Sequence, residues 1–318
     1  MPVDTFSVFL SRFRVPPRPL GMSEQQRAWN TDELVAEYQE LRPRLIGVAY
    51  GLLGTLPEAE DAVQEAWIRL QGTNTDAIED VTGWLVTTTS RLALDTLRSA
   101  RRQRENYIGP WLPEPVETGS DPAERATLAD SLSWAMLVVL ETLTPSERAA
   151  FVLHDVFSVP FDEVGTALGR SPQACRKLAA RARQHVRERK PRFDVDPGDH
   201  REVVEAFGSA MTDGDLQRLL QLLDPDAVLI SDGGGLVQAA LNPILGHDKI
   251  ARFLAGVRPI DDHFSLRHTI INGNPALVVF STEHTETVFT LGIRNGRIRT
   301  IDAVRNPHKF HGLSHSQN

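Results

Sequence analysis

Between Arg170 and Arg192 nine lysines and arginines face a single acid, Glu188, a local balance of +8 in a chain whose net charge is −8. Cations gathered this densely can contact a phosphate backbone, and a few can pair with base edges. The competing readings are a solvated helix face or basic residues complementing a helix dipole. The pattern around the charge favours two helices joined by a tight turn. Phe161, Val164 and Leu168 share one face at helical spacing, and Gly169 suits the left-handed backbone that ends a helix. Ser171 and Pro172 then restart it: the serine accepts from a first-turn amide, worth about 1 kcal/mol, and proline at the first position loses no hydrogen bond. The second helix turns Cys175, Leu178, Ala179, Ala182 and Val186 to one side, while Arg176, Lys177, Arg181, Arg183 and Arg187 project elsewhere. A helix so built fits a DNA major groove.

Other residues could do acid–base chemistry: Asp232, His268, His284 and Asp302, the last on a segment where Ile298, Thr300, Asp302 and Val304 alternate onto one strand face. An isolated aspartate defines no mechanism, and the histidines read more simply as surface or satisfied core residues, so no catalytic residue is expected. Gly233, Gly234 and Gly235 after Asp232 permit close backbone approach. The single cysteine, Cys175, allows no disulfide and no cysteine-based metal site, which fits a reducing cytoplasm; neither metal nor cofactor is expected. No apolar run approaches the roughly 20 residues that span a bilayer, so no membrane partner is expected.

The elements that must position these residues form a multidomain chain. Residues 1–28 read as a flexible extension lacking the apolar core of a secretion signal. Residues 29–107 read as a helical domain and 108–128 as a linker. Residues 129–193 form a second helical domain containing the helix-turn-helix, 200–310 an α+β domain and 311–318 a tail. The prolines of Trp111-Leu112-Pro113-Glu114-Pro115 preclude a helix there and leave an exposed tryptophan. In the last domain two helices, around Glu202 to Met211 and Leu216 to Leu223, precede alternating strands with turns at Asn272-Gly273 and Asn295-Gly296.

In the first helical domain Ala59, Ala62, Val63, Ala66, Trp67 and Leu70 fall on one face. Glu58, Glu60, Asp61, Gln64 and Glu65 gather outside, an acidic surface able to seat a basic partner. A later helix opened by Trp84 carries Arg91, Arg98, Arg101, Arg102 and Arg104 against Asp95 alone. The 23 basic and 29 acidic residues up to Asp199 balance to −6, so affinity for free DNA is expected to be weak and salt-sensitive.

Asp61 to Trp67 resembles the region-two helix by which bacterial sigma factors dock on the clamp coiled coil of RNA polymerase. Trp84 to Arg102 resembles their minus-ten-recognition segment, and Phe161 to Arg187 their region-four helix-turn-helix. The order and spacing resemble the extracytoplasmic-function group. The rest is similar to the SigJ-like subgroup with a fused SnoaL-like domain of the NTF2-like fold. Trp111 to Pro115 matches its linker motif, Asp232 to Gly235 most of a DGGGK motif, and Asn306-Pro307-His308-Lys309-Phe310 resembles an NPDKL motif. Leu236 replaces the first motif's lysine, and His308 and Phe310 replace aspartate and leucine in the second.

The resemblance implies two all-α sigma domains followed by an α+β SnoaL-like cone, with no covalent chemistry. It implies promoter contacts by Ser171, Gln173, Arg176, Lys177, Arg181 and Arg183, and a track of Arg91, Arg98 and Arg101 beside a base pocket in the loop Asn74 to Thr82. It further implies contacts of Asp61, Gln64 and Glu65 with the core polymerase, whose clamp and flap are the expected partners. An inter-domain regulatory set is implied too: Trp111, Pro113, Glu114, Asp232, Gly233, Gly234, Gly235, Asn306, Pro307 and Lys309. Fused regulation makes a separate anti-sigma protein less needed. Two other readings stand beside this one, a helix-turn-helix repressor with a ligand-sensing domain and a SnoaL-type enzyme fused to a DNA-binding module.

Overall fold

The computed structural model describes residues 31–75, 78–104, 106–117, 132–189, 197–256, 264–281 and 284–313; the expected extension at 1–28 lies outside them. The chain divides into two compact units. The first comprises residues up to Leu53, Pro57–Arg98 and Thr142–Glu188; the second comprises Gly54–Leu56, Ser99–Glu141 and the chain from Arg189.

The first unit is helical. It contains α1 (Thr31–Leu53), α2 (Leu56–Gln71, from Pro57 onward) and α3 (Val81–Arg104, up to Arg98), then α5 (Pro145–Phe151), α6 (Phe161–Leu168) and α7 (Pro172–Arg189, up to Glu188). Residues from both expected helical domains therefore share one unit, because α1 packs against α5 and the π-helical turn Val152–Val156 that follows it. Polar pairs reinforce this. The buried Arg148 donates from Nε to the Gly51 carbonyl at 2.8 Å, and Arg44 donates to the Phe157 carbonyl at 3.0 Å. At the start of α5, Thr144 and Glu147 form a reciprocal capping box.

The second unit is α+β. Its helices α4 (Trp134–Leu140), α8 (Pro197–Asp213), α9 (Leu216–Leu222) and α10 (His247–Gly256) accompany a six-stranded sheet ordered β2-β1-β6-β5-β4-β3. The strands are β1 (Leu223–Asp232), β2 (Ile244–Leu245), β3 (Phe264–Ile271), β4 (Asn274–Ser281), β5 (His284–Arg294) and β6 (Arg297–Val304). Among the described residues only β1 and β6 pair in parallel. The expected turns close the hairpins: Asn272-Gly273 and Asn295-Gly296 hold positive φ at both residues. α8 exceeds its expected span at both ends, since Pro197 is tolerated in a first turn.

Two faces of the sheet bury two clusters. One packs Leu229, Leu277, Phe289, Leu291 and Ile301 with Val204 and Phe207 of α8 and Leu254 of α10. The other gathers Val278, Val288 and Val304 around Leu112 and Trp134, residues from the expected linker and the helix after it. Burying such side chains contributes about 1.5–3 kcal/mol each, enough to hold the linker down.

Candidate nucleic-acid interface and regulatory strap

The helix-turn-helix closes as its sequence requires. Gly169 adopts φ 64°, and both its amide and that of Arg170 return to the Gly165 carbonyl. Ser171 Oγ accepts from the Ala174 amide at 3.2 Å. Cys175, Ala179, Ala182 and Val186 of α7 are buried, and burial pushes the Cys175 thiol up. At 3.6 residues per turn, Gln173, Lys177, Arg181 and Gln184 lie opposite that side, and all four are exposed, as is Ser171.

Arg176, Arg183 and Arg187 form a separate flanking stripe, and the first two have partners in their own unit. Arg176 lies 5.3 Å from the Phe161 ring centroid, a ring that also stacks on His154 at 3.7 Å. Arg183 Nη1 bonds Asp155 at 2.8 Å. Arg183, expected among the DNA contacts, is thus engaged by a carboxylate whose proton affinity is raised by burial and opposed by this same arginine.

On α2, Ala59, Ala62, Val63, Ala66 and Leu70 are buried as the periodicity dictates. Trp67 departs from that face: it is half-buried and stacks on Tyr38 at 4.4 Å, the bulky ring lying beside the core. Asp61 and Gln64 are exposed, while Glu65 bonds Arg69 one turn on at 2.8 Å. On α3, the exposed Arg91 donates to the Thr166 carbonyl of α6 at 2.7 Å, and the exposed Arg98 pairs with Asp95 at 3.1 Å. Such a surface pair contributes about 0–1 kcal/mol and yields readily. The side chain of Arg101 and, in the expected base pocket, Asp76 and Ala77 lie outside the described residues.

Within the second unit the expected linker is a strap. Leu112 to Glu117 is buried and Trp111 half-buried, which corrects the expectation of an exposed tryptophan. The prolines exclude a helix as expected, yet an extended chain can still lie along a sheet. Its anchor is Asp232, fully buried, which accepts from Tyr107 Oη at 2.5 Å, the Leu112 amide at 2.8 Å, the Gly234 amide at 3.1 Å and Lys309 Nζ at 2.6 Å. Lys309 also donates to the Leu112 carbonyl and sits 3.8 Å from the Trp111 ring centroid. Asn306 donates to Tyr107 Oη at 2.9 Å and accepts from the His308 amide at 3.0 Å. Gly234 holds φ 60°, where a side chain would collide with Asn306.

The tryptophan, glycine and terminal motifs therefore converge on one carboxylate. Leu236, standing where the related motif has lysine, is 55% exposed, and the cation at Asp232 is the terminal motif's own Lys309. Gly233 is buried, Gly235 and Pro307 are exposed, and Pro113 is buried in the strap. Glu114 accepts from the amides of Leu56 at 2.8 Å and Gly312 at 3.2 Å, and burial pushes its carboxyl up. Glu117, which sequence reasoning missed, is bound by Arg267 and Thr269 and pairs with Ile271 in a one-residue antiparallel bridge. Nor is the chain beyond Phe310 a free tail from its first residue: Leu313 is buried and Gly312 bonds the strap.

These contacts also use the residues considered for acid–base work. Asp232 is saturated by the strap, and Asp302 accepts from Trp134 Nε1 at 2.8 Å. His268 is exposed beside Gly208 of α8, and the side chain of His284 is outside the described residues. Desolvation pushes the Asp302 carboxyl up to about 6 despite the indole bond. The folded chain thus holds that proton more tightly than the unfolded chain, so stability falls as pH rises from about 4 to about 6 and then levels. Asp302→Asn keeps an acceptor for Trp134 and is expected to abolish that decline, raising the unfolding midpoint at pH 7.5 but not at pH 4. Thermal unfolding across pH 4 to 8 checks this.

Among the described residues no cluster of metal-ligating side chains occurs, and no helix is long and apolar enough to cross a membrane. Residues 37–103 match the sigma-70 region 2 family, 133–186 the sigma-70 region 4 family and 204–308 the SnoaL-like domain family. The chain is 40% identical over 292 residues to the ECF RNA polymerase sigma factor SigJ of Mycobacterium tuberculosis, covering 87% of this chain and 93% of that one. It is 35% identical over 285 residues to that organism's probable ECF RNA polymerase sigma factor SigI, covering 87% and 94%. The crystal structure of M. tuberculosis SigJ superposes with a TM-score of 0.70 at 36% identity, covering 89% of this chain and all of that one. With helices carrying an exposed basic face and an acidic face, followed by a SnoaL-like domain, the chain belongs to the extracytoplasmic-function RNA polymerase sigma factors that direct transcription initiation.

Proposed function

We propose that Ser171, Gln173, Lys177 and Arg181 make the minus-thirty-five contacts, with Arg176 flanking them, and that Arg91, Arg98 and Arg101 track the separated strand at the minus-ten element. The observation that carries this is the exposed cationic face of α7 opposite its buried Cys175–Val186 side. Arg91 must exchange the Thr166 carbonyl for phosphate to do so, a modest cost for an exposed bond. Asp61, Gln64 and Glu65 of α2 dock on the polymerase clamp, and the region-four segment meets the flap. Residues 29–107 and 129–193 act as the two promoter-facing modules, and 200–310, fastened to the strap, modulates them. The protein works in the cytoplasm, performs no covalent chemistry, and has less need of a separate anti-sigma protein.

Asp61→Lys tests the docking face. Reversing one charge at an exposed position is expected to weaken core-polymerase binding about tenfold at low salt, with the difference shrinking as salt rises. Equal affinity of variant and parent in a competition assay for core would remove α2 from the interface.

A further inference from the structure

The stripe of Arg176, Arg183 and Arg187 has no place in the outward face of α7, yet it carries three cations to that face's two. Arg183 and Arg176 are seven residues apart, two helical turns, so both lie on the same edge of the helix. Each is turned toward its own unit, one onto the Phe161 ring and one onto Asp155, and Arg187 Nε follows by donating to the Arg183 carbonyl at 3.3 Å. Asp155 is set in the π-helical turn Val152–Val156, where five residues occupy a widened turn before the helix-turn-helix begins. Its side chain is 9% exposed, and among the described residues its Oδ2 is buried without a hydrogen-bond partner. Arg183 is therefore the group that compensates this carboxylate. Moving Arg183 to a phosphate would strand a buried charge, whereas Lys177 and Arg181 leave nothing buried when they bind.

We propose that Asp155 is a positioning residue for promoter binding: its carboxylate holds Arg183 against the π turn, fixes the roll of α7, and keeps this cation out of the phosphate contacts. The inference rests on α7 being the DNA-facing helix. It sets one cation of α7, Arg183, to pack while Lys177 and Arg181 on the outward face bind.

The experiment is the salt dependence of holoenzyme binding to a duplex promoter fragment, using the full chain with core polymerase and fluorescence anisotropy from low to moderate KCl. Each phosphate contact contributes about 0.9 to the slope of log affinity against log salt. Arg183→Ala is expected to leave the slope unchanged. Asp155→Asn, which frees Arg183, is expected to steepen it by about 0.9, and adding Arg183→Ala to Asp155→Asn should return it to the parental value. A merely structural pair would lower affinity without altering the slope. The proposal is overturned if Arg183→Ala alone reduces the slope by about 0.9, or if Asp155→Asn steepens it equally with alanine at 183. A folded Asp155→Asn chain with the parental slope also overturns it. Should Asp155→Asn fail to fold, Asp155→Ser, which likewise removes the charge that holds Arg183, takes its place in both the single and the double variant, with the same slopes expected. Lys177→Ala separates the two readings: a loss of about 0.9 supports the DNA-facing helix whatever the other arms give, and no loss removes that premise.

Discussion

Asp232→Ala is expected to lower the unfolding midpoint of the second unit by roughly 10 °C. The aspartate is fully buried and is the salt-bridge partner of Lys309, whose side chain is 5% exposed. Removing one member of a buried pair leaves the other charge uncompensated, costing about 3–5 kcal/mol, and a domain of this size loses roughly 2–4 °C for each. The Leu112 amide and Tyr107 hydroxyl lose their acceptor in the same step. Adding Lys309→Met should recover much of the loss, because an apolar side chain of similar length fills the site without a charge to satisfy. Differential scanning calorimetry of parent, single and double variants reads the effect. A single variant as stable as the parent would show that the three motifs meet without holding one another.

The second large effect is at promoter DNA. Lys177→Ala combined with Arg181→Ala removes both cations from the outer face of α7, and holoenzyme affinity for a cognate promoter is expected to fall roughly a hundredfold. If one of the two pairs with guanine, it contributes about 1–3 kcal/mol of discrimination, and the other supplies phosphate affinity alone. Permuting the minus-thirty-five bases separates the two roles: the specificity residue loses preference at one base pair, while the phosphate contact weakens every sequence alike. Undiminished binding by the double variant would move the interface off this face. Neither side chain is buried, so the fold itself should be unaffected.

What the sequence disclosed and what it hid divide along a physical line. The helix-turn-helix was legible to its caps, because Gly169, Ser171 and Pro172 each carry a local conformational rule that packing does not override. The hairpins at Asn272-Gly273 and Asn295-Gly296 were legible for the same reason. The strap was not. Its prolines announce the absence of a helix but say nothing about what an extended chain lies upon. The contacts that bury it join residues such as Tyr107 and Asp232, which are 125 positions apart. Resemblance marked Trp111, Asp232 and Asn306 as belonging together; geometry adds that they meet at the buried pair of Asp232 with Lys309. Partners of single charged residues were equally hidden: periodicity placed Arg183 off the apolar side of α7 but could not show Asp155 waiting for it. Asp302, an attractive base on an alternating strand, proved to be the acceptor for an indole from a helix far upstream.

If the third domain controls promoter direction, the strap is where that control can be broken with least damage elsewhere. Trp111 is half-buried and meets Lys309 through its ring face, so Trp111→Ala loosens the strap while sparing the buried pair beneath it. The decisive measurement is promoter-specific run-off transcription with bacterial core polymerase, comparing the full chain with its Trp111→Ala variant at matched core occupancy. Specific transcripts are expected from the parent, and a clearly altered yield from the variant. Transcripts of equal yield from both would contradict regulation through the strap, and no specific transcript from the parent at any cognate promoter would contradict promoter direction itself.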